Sequence, residues 1–389
     1  MTKRGVVLLL GTTQTLAWAS SYYIPAILAG AMARDLGIHT STVFVAFSCA
    51  MLLTAFLGPR VGRAIDQYGG RGVLLASNGV FILGLSMLAL STGPVMLFAA
   101  WLMLGLAMAM GLYDAGFATL ARLYGKDARS AITGITLLAG FASTVGWPLS
   151  GIMLAEFGWR GACWGWALIH LLVALPLNLM LPRAGLHVAA AAPAAPTPQA
   201  ARETRRTAIL IAFIFAVGGF SAAALAAHLP ALLEAAGATP AAAIAAGALM
   251  GPAQVAARVL EFTLLRRAHP LLSAKLAQAA HPIGAAILLF LGAPFAAAFV
   301  LLHGAGNGIN TIVRGTLPLA IFGPAGYGAR QGLLVAPTRF LGALAPALFG
   351  YVVEGFGAQA LWFTAAMSLA ALAALFMLRV APASPKATR

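Results

Sequence analysis

The chain has 389 residues, of which 61% are hydrophobic and 8% are charged, and its formal net charge is +15. A soluble domain carries about 25% charged residues, so this composition excludes a soluble enzyme and predicts an all-α protein that crosses a membrane. The basic residues are scattered singly between apolar runs, which also excludes a nucleic-acid-binding face and leaves the lipid bilayer as the surrounding phase.

The apolar runs predict twelve transmembrane helices, because a span needs about 20 apolar residues. In chain order the predicted spans are 6–30, 41–62, 73–91, 94–121, 130–155, 161–181, 208–233, 240–262, 275–292, 294–322, 328–353 and 358–379. The Ala- and Pro-rich stretch 183–207 is typical of a linker. It would join an N-terminal six-helix bundle, 1–182, to a C-terminal six-helix bundle, 208–389.

The basic residues predict the orientation of these spans, since loops rich in Lys and Arg stay in the cytoplasm. Arg34 and Arg160 fall on one side, and Arg258 and Arg339 lie within spans. Every other Lys and Arg falls on the opposite side, so we expect both termini and the linker in the cytoplasm. The predicted protein is a multi-pass monomer of a bacterial-type inner (plasma) membrane.

Charge is concentrated in LGPRVGRAIDQYGGRGVLL, residues 57–75, between the second and third spans. The residues of interest in this loop are Gly62, Arg63, Asp66, Gly69 and Arg71. A loop at the membrane edge, away from the bilayer midplane, predicts a conformational latch rather than a binding site. Asp66 is expected to face the N-terminus of the eleventh span, where the helix dipole favours an anion, and Arg63 and Arg71 can pair with it.

The same pattern recurs between the eighth and ninth spans, in MGPAQVAARVLEFTLLRRAH. Arg63-x-x-Asp66 corresponds to Arg258-x-x-Glu261, and a further arginine follows five residues after each acid. A duplicated six-helix unit explains this repeat, and duplicated halves are typical of secondary transporters.

Charged residues inside spans are candidates for substrate binding or proton coupling, because burying a charge in the bilayer is costly. Asp114 can carry a proton, or it can form a fixed pair with a neighbour such as Arg339. Arg258 lies about one turn deeper than Arg63, where its guanidinium could bind a carboxylate. The alternative is an edge arginine that neutralises Glu261.

Two spans carry polar stripes. His303, Asn307, Asn310 and Arg314 share one face of the tenth span, which predicts either a water-filled path or a packed polar interface. A comparable stripe on the first span contains Gln14, Trp18, Ser21, Tyr22 and Pro25. We therefore expect both spans to contribute to a central cavity.

The loop GRAIDQYGGRGVLL resembles the signature loop of the major facilitator superfamily, with Gly62, Asp66, Gly69 and Arg71 at its main positions. GWPLSG resembles that superfamily's fifth-helix Gly-Pro motif, and FGWRGACWGWA resembles the turn before its sixth helix. The resemblance implies the major facilitator fold, with a cavity lined by helices one, four, seven and ten. LYGKDARSAITGI and QVAARV are similar to the monocarboxylate and oxalate/formate-like branch, with Arg258 at the branch's arginine position.

Catalytic motifs and metal-ligand spacings are missing from the sequence, and Cys49 and Cys163 lie in separate apolar runs. We therefore expect no catalytic residue, no metal and no cofactor. The sequence predicts a secondary active transporter that moves a small organic anion, a monocarboxylate being one candidate, together with H⁺. The alternatives are an efflux transporter for drug-like or toxic compounds, and a membrane receptor or scaffold, which would need longer soluble extensions.

Overall fold

The computed structural model describes residues 1–183 and 198–378, and in these residues the regular structure is entirely helical. The α-helices are α1 Lys3–Ala19, α2 Ile24–Leu36, α3 Thr40–Tyr68, α4 Gly70–Ala89, α5 Pro94–Gly111, α6 Tyr113–Tyr124, α7 Arg129–Ala139, α8 Ala142–Ile169, α9 Leu175–Leu179, α10 Pro198–Ala235, α11 Pro240–Gly247, α12 Met250–Leu260, α13 Pro270–Leu291, α14 Ala296–Phe322, α15 Tyr327–Phe356 and α16 Leu361–Phe376. Short π-helical turns extend α8 over His170–Ala174 and α12 over Glu261–Leu265.

Nine segments of the described chain are long and apolar enough to cross a bilayer. Two of them, Pro94–Leu179 and Tyr327–Phe376, are far longer than one crossing requires and contain several helices. Large apolar side chains such as Leu264, Phe290 and Tyr351 are exposed on the outside of the helices. A lipid environment explains this exposure, so the chain is a multi-pass membrane protein.

The first predicted span is two helices rather than one, because α1 ends at Ala19 and α2 begins at Ile24. Pro25 has no N–H to donate to the Ser21 carbonyl, which interrupts the helical hydrogen bonds. The Ser20 and Ser21 hydroxyls instead donate to the Ala17 carbonyl. This break places Tyr22 outside regular helix, at the centre of the first membrane segment.

A second break separates α5 from α6 at Leu112, whose backbone is extended. The Gln14 side chain donates from Nε2 to the carbonyl of Gly111 at 2.6 Å, so it satisfies the end of α5. The break makes Asp114 a first-turn residue of α6. There the positive end of the helix dipole stabilises its carboxylate.

Two helices extend beyond the predicted spans. Helix α3 continues past residue 62 to Tyr68, so the expected loop is helical except for Gly69, whose φ of 83° suits glycine. Helix α10 begins at Pro198, so the last part of the expected linker is also helical. The remainder of that linker, 184–197, and the C-terminal residues 379–389 lie outside the described residues.

The described helices form a first half, residues 1–183, and a second half, residues 198–378. Four buried apolar clusters fill the protein, two within the second half and two centred on the first. The halves meet mainly where α3 packs on α15, with further contacts of α6 and α7 to α14 and α15. At the α3–α15 crossing, glycines 58 and 62 lie against glycines 332 and 328, which lets the two backbones approach closely.

Candidate functional site

A buried ion pair joins the two halves at the centre of the molecule. Asp114 of α6 pairs with Arg339 of α15, and each side chain is only about one-eighth exposed, at 11% and 12%. Gln331 Nε2 donates to the other carboxylate oxygen at 3.3 Å. Of the two interpretations of Asp114, the pair with Arg339 is the contact that this conformation contains.

Arg258 lies inside the protein, with 6% of its surface exposed. Its guanidinium donates to the Gly308 carbonyl at 3.3 Å and lies 3.5 Å from the side-chain oxygens of Gln254 and Thr311. All these acceptors are neutral, and no described carboxylate forms an ion pair with Arg258. The alternative pairing with Glu261 is thereby excluded in this conformation.

Arg314 adds a third guanidinium to this region. Gln331, whose Nε2 donates to Asp114, also donates to the Arg314 carbonyl at 3.0 Å, so Arg314 lies beside the ion pair. No described carboxylate lies within ion-pair distance of Arg314. Of the three arginines Arg258, Arg314 and Arg339, only Arg339 has a carboxylate partner among the described residues, and that partner is Asp114.

Aromatic rings of the first half cluster near the C-terminal end of α7, where the Tyr113 hydroxyl donates to the Thr136 carbonyl at 3.5 Å and Arg258 lies against Gly140. Trp18 packs against Tyr22 and Tyr113, with ring centroids 5.1 and 5.0 Å apart, and Tyr22 packs edge-on against Tyr23 and Phe47. The helix break at Ser20 brings this aromatic cluster together. The sequence identified Trp18 and Tyr22 as a polar stripe but did not show that Tyr113, from another span, joins them.

The second half contains a cavity of about 400 Å³ between α10, α11, α12 and α14. Its polar lining consists of Gln254, His303 and Asn307, and the remainder is apolar. A smaller polar pocket behind it is lined by His303, Asn307 and Asn310, together with His281 of α13. Of the predicted stripe on α14, His303, Asn307 and Asn310 line a cavity and Arg314 lines neither, and the sequence did not point to His281.

Gln14 does not line either cavity. It is buried between α1 and the α5–α6 break, where it donates to the Gly111 carbonyl. The predicted stripe on the first membrane segment is thus divided in two. Gln14 stabilises the break, and Tyr22 reaches the aromatic cluster.

The latch contact, Asp66 on the N-terminus of α15, lies at one end of the α3–α15 crossing. The two Asp66 carboxylate oxygens accept hydrogen bonds from the Gly328 and Ala329 amides, each at 2.9 Å. These amides belong to the first turn of α15, where the helix dipole favours an anion. The sequence predicted both this residue and this helix.

The arginines expected to pair with Asp66 do not do so. Arg63 is exposed and forms no ion pair with the described residues. Arg71 donates to the Leu179 carbonyl at 2.6 Å, at the C-terminal end of α9. A cation is favourable at a helix C-terminus, so Arg71 secures α9 rather than the latch contact.

A second contact across the halves lies at the same end of the molecule. Arg129, the first residue of α7, pairs with buried Glu261 at 3.3 Å and also donates to the Leu265 and Ala268 carbonyls. Burial, and then the Arg129 charge, lowers the pKa of nearby His269, which keeps its Nδ1 free to accept from the Leu271 amide. Glu261 occupies the position of Asp66 in the internal repeat, a signal that could have located this contact.

Comparisons with known proteins identify the family to which this architecture belongs. A family model described as Major Facilitator Superfamily matches residues 9–302. The chain belongs to the Major Facilitator Superfamily. Members of this superfamily are membrane transporters and not enzymes, and they bind small-molecule substrates, often with H⁺.

A relative from Thermoproteus tenax is described as an uncharacterized 38 kDa protein in 23S RNA operon. It is 32% identical over 354 residues, which cover 90% of this chain and 89% of the relative.

Solved structures share the superfamily fold. The human organic anion transporter MFSD10 (TETRAN) aligns with a TM-score of 0.75 at 15% identity, covering 96% of this chain and 100% of that one. The proton:xylose symporter XylE bound to 6-bromo-6-deoxy-D-glucose aligns with a TM-score of 0.72 at 13% identity, covering 97% of this chain and 95% of that one. The transporter FucP in the outward conformation aligns with a TM-score of 0.72 at 15% identity, covering 95% of this chain and 98% of that one. At these identities the likeness describes the fold alone.

Proposed function

We propose that this transporter moves a small organic anion by alternating access. The observation that carries the proposal is the excess of positive charge between the halves, where Arg258 and Arg314 lack a carboxylate partner among the described residues. An uncompensated charge is expensive inside a bilayer protein, and an anionic substrate would compensate it. The guanidinium fork also suits a carboxylate in two-point geometry.

The aromatic cluster narrows the chemistry of the substrate. The cluster of Trp18, Tyr22 and Tyr113 lies near the end of α7 that Arg258 also contacts, so a carboxylate with an apolar or aromatic body would contact both the rings and the guanidinium. This supports a monocarboxylate and, with it, the branch that the loop at residues 123–135 resembles. The human protein MFSD10, which shares the fold, is itself described as an organic anion transporter.

We propose that the chain crosses the membrane twelve times, in two six-helix bundles joined by a linker around 183–207. Both termini would lie in the cytoplasm, and the protein would be a monomer in the inner membrane. The long segment Pro94–Leu179 supports three crossings, because its helices are interrupted at the 3₁₀ turn Gly125–Ala128 and at Gly158, whose φ is 70°. The distribution of Lys and Arg supports the orientation.

In this orientation the latch contact and the Arg129–Glu261 pair lie on the cytoplasmic side. Both join the halves, so they stabilise the state that is closed to the cytoplasm. Substrate would then enter from the outside, and the two contacts would break when the protein opens inward. Alternating access of two halves around a central site requires contacts that form when one side of the protein closes and break when that side opens.

An efflux transporter for drug-like or toxic compounds remains the second candidate. It is favoured by the 400 Å³ cavity, whose wall is mostly apolar, and by the adjacent aromatic rings. A cationic or neutral drug would leave Arg258 and Arg314 unpaired, whereas an anionic drug would pair with them. The charge of the transported compound therefore separates the two candidates.

The test is uptake into proteoliposomes of a panel of small monocarboxylates, dicarboxylates, sugars and cationic dyes, with and without a pH gradient. We expect a carboxylate to be transported, and Arg258→Gln to weaken its binding by at least about tenfold, since hydrogen bonds to charged groups contribute about 1.5–3 kcal/mol. The exposed Arg267→Gln is the matched control. Transport of dyes alone would favour efflux, and transport of sugars alone would overturn the proposal.

A further inference from the structure

Two histidines are buried together in the second half, away from the central ion pair. His281 of α13 and His303 of α14 are each 5% exposed, and their Nδ1 atoms lie 3.0 Å apart. The rings meet edge to face, with centroids 4.9 Å apart. Two ring nitrogens at this distance share one proton, so one histidine donates and the other accepts.

We assign the donor from the surrounding hydrogen bonds. The Thr364 hydroxyl lies 3.1 Å from the Leu361 carbonyl, to which it donates, and with its proton placed there it accepts from His281 Nε2 at 2.9 Å. In this assignment neutral His281 carries its proton on Nε2, and its Nδ1 accepts from His303 Nδ1. His303 Nε2 is left with a free lone pair and no partner among the described residues.

His303 stands between the two cavities of this half. On one side it lines the cavity of about 400 Å³, and on the other it lines a polar pocket of about 20 Å³, large enough for one water. Ser221 lines the same pocket with a buried hydroxyl that lacks a hydrogen-bond partner in the described chain. A proton in the larger cavity can thus reach His303 without crossing an apolar barrier.

No acid faces the histidine pair from the helices packed around it in the described chain. Their polar residues near the pair are Ser221 from α10, Gln254 from α12, Gln278 from α13, Asn307 and Asn310 from α14, and Thr364 and Ser368 from α16. The charged group beyond Gln254 is Arg258, another cation. An imidazolium at His303 would therefore lack a counter-charge until an anion entered the cavity.

We propose that His303, supported by His281, binds the transported proton, and that it does so together with the organic anion. The proton moves from water in the cavity to the His303 Nε2 lone pair, while Nδ1 keeps its hydrogen bond to His281. The anion neutralises the imidazolium, and by linkage the proton strengthens anion binding equally. The inference rests on the proposed function, and it assigns proton coupling to His303 because Asp114 is held by Arg339.

The first experiment uses radiolabelled benzoate, a carboxylate with an aromatic body, in proteoliposomes. Neutral benzoic acid crosses a bilayer unaided, so initial rates are compared with those of protein-free liposomes. Wild-type protein should take up benzoate faster than these liposomes when the outside is acidic and should also exchange it between equal concentrations. His303→Gln should keep the exchange but lose this protein-dependent uptake driven by the pH gradient. His228→Gln, at a half-buried histidine bonded to the Pro346 carbonyl, should retain both.

The second experiment needs no variant. Adding benzoate to wild-type protein in weakly buffered detergent should remove protons from solution, and benzoate should bind up to about tenfold more tightly for each unit of lower pH. Benzoate binding without proton uptake, or protein-dependent uptake driven by the pH gradient in His303→Gln, would overturn the histidine site while leaving anion transport intact. If neither benzoate nor any anion of the panel binds, the proposed function fails and this inference with it.

Discussion

At the residue scale, the position of Arg258 depends on one glycine. Gly140 ends α7, and an added Cβ there would lie 2.3 Å from the Arg258 Nη1 atom. The guanidinium therefore occupies space that only a glycine leaves free. Its charge also lies at the C-terminal end of α7, where the helix dipole favours a cation. Arg258 thus reaches from the second half onto the first, which makes its placement sensitive to the relative position of the halves.

Gly140→Ala should displace the Arg258 guanidinium and weaken carboxylate binding by about fivefold or more, a loss of about 1 kcal/mol. Benzoate binding to purified protein measures this. Gly79→Ala is the matched control, because an added Cβ at this exposed glycine of α4 has no neighbour within 4 Å. Equal binding by the two variants would show that Arg258 does not contact the anion.

Asp66→Asn should slow the transport cycle while substrate affinity stays nearly unchanged. The amide loses the negative charge at the α15 N-terminus, where two charge-assisted hydrogen bonds contribute about 1.5–3 kcal/mol each to the closed state. Transport rate and equilibrium binding of benzoate are measured on the same preparation. A large loss of affinity with an unchanged rate would contradict the latch interpretation.

At the element scale, the crossing of α3 and α15 depends on glycines whose backbones touch. A Cβ on Gly62 would lie 2.0 Å from the Gly328 carbonyl oxygen, and one on Gly332 would lie 2.5 Å from the Gly58 carbonyl carbon. Rigid backbone atoms cannot give way as a flexible side chain can. Any larger residue must therefore push the two helices apart and carry Asp66 away from the α15 amides.

Gly62→Ala should destabilise the closed arrangement by about 1–3 kcal/mol, the usual cost of overpacking. We expect it to reproduce the slow cycling of Asp66→Asn although it leaves every charge in place. Thermal unfolding and transport rate are compared with Gly72→Ala, on the exposed side of α4, where an added Cβ meets nothing within 4 Å. Normal transport by Gly62→Ala would show that close packing of α3 on α15 is dispensable.

The helices themselves were largely predictable, because a membrane span needs only an apolar run of sufficient length. The breaks were harder to predict. Pro25 interrupts the first segment, yet Pro59 and Pro230 lie inside continuous helices. Neighbouring helices decide whether the freed carbonyl finds a partner, and a single sequence does not show those neighbours.

At the scale of the whole molecule, the internal repeat is visible in the contacts between the halves. Asp66 contacts the first turn of α15, and Glu261, its counterpart in the repeat, contacts the first residue of α7. The helix dipole allowed the first contact to be predicted from sequence. The second was not predicted, because its partner is a side chain, Arg129, and periodicity does not fix how helices of different halves rotate against each other.

Because both contacts close the same end of the molecule, they should stabilise one conformation additively. Asp66→Asn and Arg129→Gln should each shift the population toward the state open at that end, and the double variant should shift it by the sum of the two free energies. Spin labels at Tyr68→Cys and Arg267→Cys report the distance between the halves there, in a background with Cys49 and Cys163 replaced by alanine.

The distance distribution should gain a longer component in each single variant and a larger one in the double variant. Arg63→Gln is the control, because exposed Arg63 forms no ion pair with the described residues and should leave the distribution unchanged. An equal shift by one single variant and the double variant would mean that one contact alone holds this end closed. The other of the two contacts would then hold the halves together without determining which way the transporter opens.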